Sequence, residues 1–177
     1  MAYSTPSTFV AGNVLTASQL NTNLRDNIAW IATDSPAARA YKSSAFSHTS
    51  TGNALSITLD SERFDNAAVH DTSSNTSRMT IPASSGGKYL CGGSVEFAAN
   101  ATGHRVLSMY VNATTYAATQ TVPAISGSVV TIAICTVWSF AAADYAEMQA
   151  FQNSGGNLNV NATSSYSPEF WVQWFRT

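Results

Sequence analysis

Residues 169–177 read EFWVQWFRT, and the period of two in this stretch decides the fold. Successive side chains of an extended strand face opposite sides, so Phe170, Val172 and Trp174 point one way while Trp171 and Phe175 point the other. Both faces are apolar. Such a strand lies between its own sheet and a second surface, which in a small domain is either another subunit or the interior of a monomeric sandwich. The expectation taken here is the first: Phe170, Val172 and Trp174 form a subunit interface.

Working back from that strand, the same period recurs in NALSITLD (53–60), at Met79 and Ile81 before Pro82, and in KYLCGGSVEFAA (88–99), HRVLSMYVNA (104–113), SVVTIAICTVWSF (128–140), DYAEMQAFQNSGG (144–156) and NLNVNA (157–162). Gly, Asn and Ser clusters separate these runs, which together predict seven to ten short strands. So many strands suit an antiparallel β-sandwich or jelly roll, whose full pairing disposes of exposed edges. The glycine pairs Gly86-Gly87, Gly92-Gly93 and Gly155-Gly156 read as turns or bulges.

Upstream of Ala40 the pattern changes. Residues 1–13 carry Pro6, Gly12 and scattered Ser and Thr around Phe9 and Val10, a composition that forms no core and reads as an extended arm. Thr16-Ala17-Ser18-Gln19 fits a capping box, and Leu15 and Leu20 sit where a hydrophobic staple closes. Leu20, Leu24, Ile28 and Ile31 then fall on one face of a helix running to about Ala32, and Pro36 bars its continuation. One short helix is marginal in water, so its stripe must be covered by the parent domain, a neighbouring protein, or copies of itself. In the last case Asn27, beside the seam, could fix register. The chain therefore divides into an arm and helix (1–36), a linker (37–53) and a sandwich domain (54–177), a mainly β fold with one α-helix.

The 177 residues are enough for one cored domain plus an appendage. Only 10% are charged and the net charge is −2, which leaves no basic surface for nucleic acid or an anionic membrane. Ser, Thr and Asn number 24, 20 and 13, so solubility rests on small neutral polar groups, a surface suited to packed assemblies and extracellular shells. No window reads as a membrane span, and the opening residues lack the pattern of a secretory signal, so synthesis in the cytoplasm is expected. The sequons at Asn75, Asn100, Asn112 and Asn161 then reflect composition.

Catalytic signatures are missing. His48, His70 and His104 lie at no ligand spacing and read as surface or loop residues. Cys91 and Cys135, 44 positions apart, read as buried free thiols. Asp65, Asn66 and Asp71 could hold a calcium ion but lack the density of a dedicated loop. There is no G-x-S-x-G, phosphate loop or dinucleotide fingerprint, and nothing ties two carboxylates to one site, so no cofactor is expected and a glycan-active enzyme stays a remote alternative.

Two stretches resemble known families. In residues 8–31, Phe9, Ala11-Gly12, Leu15-Thr16-Ala17, Leu20-Asn21 and Arg25-Asp26-Asn27 match in order the opening segment of many small phage and prophage virion proteins. The resemblance implies attachment to a particle through Phe9, Val10, Leu20, Leu24, Ile28 and Ile31. Residues 54–177 resemble the jelly roll of tumour necrosis factor and the complement globular head. The match is carried by Phe64-Asp65-Asn66, Met79-Thr80-Ile81-Pro82, Gly87-Lys88-Tyr89, Ala143-Asp144-Tyr145, Gln152-Asn153-Ser154-Gly155 and the closing aromatic strand. It departs at Met79, where that family usually has an aromatic, and at Ala143, where it often has glycine. This second resemblance implies a compact homotrimer with aromatic strands along its threefold axis. Together the two imply a non-enzymatic virion protein: a trimeric fibre or tip on tail or head that binds host-surface glycan or protein, or alternatively a capsid decoration protein. The virion surface is its expected location.

Overall fold

The computed structural model describes residues 3–49, 52–163 and 166–176. The capping box forms as the sequence predicts: Thr16 Oγ1 accepts from the Gln19 amide at 3.2 Å, and Gln19 Oε1 accepts from the Thr16 amide at 2.9 Å. The helix it starts continues to Asp34, two residues beyond expectation, with α turns at Ala17–Leu20 and Asn27–Ala29 alternating with wide π turns at Asn21–Asp26 and Trp30–Asp34. The first wide turn coincides with side-chain amides entering the ladder, because Asn23 donates to the Gln19 carbonyl and Asn27 to that of Asn23.

Among the described residues twelve strands follow, all paired antiparallel. The first sheet runs β4 (Ser61–Asp65), β1 (Ala37–Tyr41), β12 (Glu169–Arg176), β6 (Gly87–Phe97) and β9 (Val130–Phe140). At the far end of β6, β11 (Leu158–Val160) joins at Phe97 and carries β2 (Phe46–His48). In the second sheet β10 (Tyr145–Gln152) pairs with β3 (Ala54–Ser56), β5 (Arg78–Thr80) and β7 (His104–Val111), and β7 pairs with β8 (Thr115–Pro123). This is the expected mainly β jelly roll.

The expected linker at 37–53 is corrected: it contributes β1 and β2. Ala37-Ala38-Arg39-Ala40 carries little strand propensity of its own, and pairing with β12 on one side and β4 on the other makes it a strand. Only Ser35 and Pro36 separate the helix from the sandwich.

The core fills the space between the sheets with Tyr89, Cys91, Val95, Phe97, Ile132, Phe170 and Val172 from the first and Leu107, Met109, Ala146, Met148 and Ala150 from the second. Phe170 stands between Gly93 on β6 and Ala40 on β1, and Trp171 between Gly92 and Arg39. The two adjacent glycines thus leave room for two adjacent aromatics on opposite faces. A Cβ at Gly92 would lie 2.5 Å from the Trp171 ring, and one at Gly93 would lie 2.6 Å from the Glu169 carbonyl and press on Met148. Gly92-Gly93 is therefore neither turn nor bulge, but a pair of close approaches inside a regular strand.

Turn chemistry closes the frame. Asn112 and Ala113, with φ of 49° and 52°, make the type I′ turn of the β7–β8 hairpin, and the Thr114 amide donates to the Val111 carbonyl at 3.0 Å. Ala143, at φ 66°, occupies the left-handed region, which is the physical reason glycine suits that position.

Candidate functional site

Two surfaces are left over once the core is formed. The first is the arm and helix. Extended residues fold back along one helix face, where Asn27 Oδ1 accepts the Ser4 amide at 3.0 Å, Asn27 Nδ2 donates to the Ser4 carbonyl at 2.8 Å, and Asn23 Oδ1 accepts the Ser7 amide at 2.5 Å. Asn27 thus holds the chain's own arm, whereas the sequence alone allowed it a register role in a helix bundle. Trp30 is buried between Tyr3 and Trp174, meeting the Trp174 ring edge-on at 4.5 Å. That contact fastens the helix to the sandwich. The opposite face carries Leu20, Leu24, Ile28 and Ile31 at 39%, 53%, 64% and 58% exposure, and the arm adds exposed Phe9 and Val10. All six residues expected to attach the chain elsewhere are uncovered in the single chain.

The second surface is the outward face of the first sheet. Here the expected interface residues need correction. Phe170 and Val172 are 1% exposed and belong to the domain's own core, and Trp174 packs on that core and on Trp30. The alternation was right and the face was not, because both faces of β12 are apolar and the sequence alone does not say which one meets the second sheet. The outward side instead presents Trp171 and Phe175 on β12, Phe64 on β4, Leu90 on β6, and Cys135 and Val137 on β9. Phe64, Val137 and Phe175 are each at least half exposed.

A polar cluster sits in this apolar surface. Glu169 is nearly buried and bound by both Arg39 and Arg63; Arg63 Nε donates to Oε1 at 2.7 Å, and the Arg63 guanidinium lies 4.6 Å over the Tyr41 ring. The hydrogen bond from Arg63 to Glu169 raises the Arg63 guanidinium pKa further, as a charge-assisted pair does. Beside them a shallow cavity of about 320 Å3 is lined by Arg39, Ser94, Cys135, Glu169 and Trp171.

The remaining candidates are structural. His48 and His70 are buried rather than on the surface or in free loops: His48 Nε2 lies 3.0 Å from the Ala150 carbonyl, and His70 bridges Glu62 at 2.9 Å and the Thr76 carbonyl at 3.1 Å. His104 is half-buried against Phe151. Asp65 caps the amides of Ala67 and His70, Asp71 those of Ser73 and Ser74, and Asn66 ties Ala37 to the helix end, so the three expected calcium ligands brace separate parts of one loop and do not converge.

The two thiols also part company. Cys91 is buried, and burial, with Cys135 nearby, pushes its pKa up to about 12; Cys135, expected to be buried, is exposed on the outward face. In the single, unassociated chain an alkylating reagent should modify Cys135 and spare Cys91, which reacts only after denaturation. Mass spectrometry of the labelled peptides checks this, and two thiols reacting at equal rates would contradict it.

No family profile and no curated protein matches the chain. Among solved structures, the globular domain of zebrafish complement 1qA protein is 12% identical with a TM-score of 0.54, over 80% of this chain and 99% of that one. Murine APRIL is 8% identical with a TM-score of 0.60, over 78% and 98%. The Eiger TNF of S. frugiperda is 11% identical with a TM-score of 0.59, over 81% and 95%. At these identities the likeness is one of fold: the sandwich is a jelly roll of the kind found in tumour necrosis factor and complement heads.

Proposed function

We propose that this chain is a non-enzymatic bacteriophage virion protein: a homotrimeric jelly roll, seated on the particle by its arm and helix and displayed at the virion surface as a fibre or tip that engages host-surface ligands. The carrying observation is the helix. Its asparagine face is closed by its own arm, while Leu20, Leu24, Ile28 and Ile31 stand in solvent, an arrangement that makes sense when another protein supplies the missing cover. The phage-type sequence of residues 8–31 supports the same reading.

The trimer is proposed through Trp171, Phe175, Leu90, Val137 and Phe64, the apolar outward face of the first sheet. Three copies meeting there leave the second sheet of each facing outward. Multivalent weak binding then gives avidity without any strong single site. A second reading, capsid decoration, is favoured by one observation: with only Ser35 and Pro36 between helix and β1, the domain stands directly on its anchor with no stalk.

Labelled antibody and electron microscopy on purified particles, with copy number from gel densitometry, test the assignment. Label on the particle surface supports it, with a few copies on the tail meaning a fibre or tip and hundreds over the head meaning decoration. Absence of the protein from purified particles would overturn both.

A further inference from the structure

The outward face of the second sheet carries a groove that neither the core nor the association face uses. Its floor is a row of neutral polar groups crossing the strands: Thr119 on β8, Ser108 on β7 and Gln149 on β10. The two hydroxyl oxygens lie 2.9 Å apart, and Gln149 Nε2 donates to the Ser56 hydroxyl at 3.4 Å. Aromatic rings stand at both ends. Tyr116, 58% exposed, leans on Tyr110 at 4.6 Å, while Phe151 and His104 stack 5.4 Å apart with their planes 23° from parallel. The cavity between them is about 370 Å3.

The electrostatics of this groove are specific. Among the described residues no Asp, Glu, Lys or Arg lines it. The nearest outward carboxylate on β10, Glu147, is occupied by the Ser77 hydroxyl and Arg78. His104 is held in place by Asn153, whose side-chain oxygen accepts from the His104 amide at 2.6 Å and whose Nδ2 lies 3.1 Å from His104 Nδ1. The groove therefore offers aromatic faces, hydroxyls and an amide, with donors and acceptors mixed and no carboxylate, ammonium or guanidinium among its described lining residues.

We propose that this groove binds a neutral saccharide of one or two pyranose rings. A sugar ring has an apolar face of C–H groups that lies against an aromatic face, and a rim of hydroxyls that both donate and accept, as Ser108, Thr119 and Gln149 do. An acidic sugar finds no cation here, and a purely apolar ligand would leave the polar floor unpaired. The inference rests on the proposed display on a particle and sharpens it: with three copies joined through their first sheets, the groove faces outward three times per trimer.

The test is titration of the full chain with lactose, maltose and N,N′-diacetylchitobiose, and with sialyllactose as the acidic comparison, read by amide chemical-shift changes. At least one neutral disaccharide should shift resonances on β7, β8 and β10, with sialyllactose binding no more tightly than lactose. Tyr116→Ala, at an exposed position, should weaken binding about tenfold with an unchanged thermal transition. Gln149→Ala, a second variant, should weaken it too. No binding of any of the three neutral sugars, or binding indifferent to both substitutions, would overturn the groove. The outcomes separate from the virion reading: sugar binding by a protein absent from particles sinks the display and keeps the groove, while a particle-borne protein that ignores all three sugars does the reverse.

Discussion

Truncating Phe170 to alanine should cost the domain about 3–5 kcal/mol, while aspartate at the very next residue, Trp171, should leave each chain folded and dissolve the oligomer. Phe170 is 1% exposed and set against Gly93 and Ala40, cross-strand partners with no side chain long enough to fill the space it would leave. Trp171 lies on the other face, against Gly92 and open to whatever covers the sheet. A carboxylate there is buried in an apolar contact and meets two more copies of itself around a threefold axis. Chemical denaturation measures the first effect and sedimentation the second. Val137→Asp, half exposed on β9, is a companion variant whose monomeric product would show that any instability of Trp171→Asp is a separate matter. The reverse pattern, with Phe170→Ala dissociating a stable fold, would restore the inner residues to the interface.

The helix carries the second large effect. Replacing Leu24 and Ile28 with aspartate should remove the protein from assembled particles while leaving the sandwich intact. Burying an aliphatic side chain of this size is worth about 1.5–3 kcal/mol, so losing two of them and burying two charges instead should lower incorporation at least a hundredfold. Neither residue touches the core: their exposures are 53% and 64%, and the helix is held to the domain through Trp30 on the opposite side. The variant should therefore show an unaltered thermal transition and an unaltered oligomer mass. Normal incorporation would show that the stripe does not anchor the chain.

What the sequence revealed, and what it hid, follows from the range of the forces involved. The capping box, the end of the helix before Pro36 and the alternation along β12 are local, and each is legible because its cause lies within a few residues. The strand at 37–41 is not local: three alanines make a strand only between β4 and β12, so the region read as a linker. The face of β12 was hidden for the same reason. Choosing between Phe170 and Trp171 requires knowing that Gly93 and Gly92 sit opposite them, a register set 77 and 79 residues apart in the chain. Trp30 and Asn23 lie off the aliphatic stripe and so outside its signal, although Asn23 and Asn27, four apart, form a polar row at helical spacing. Cys135 and Cys91 sit in similar apolar runs, and only their opposite parity within paired strands separates an exposed thiol from a buried one. The saccharide groove gave no signal at all, since its residues come from four strands and are individually ordinary.

The claim on which the rest depends is that the outward face of the first sheet joins three copies. Sedimentation equilibrium of the full chain tests it most directly. A trimer should sediment at about 56 kDa, three chains of 18.7 kDa each, falling to a single chain for Trp171→Asp or Val137→Asp. A wild-type chain that sediments at 18.7 kDa across the concentration range would contradict it.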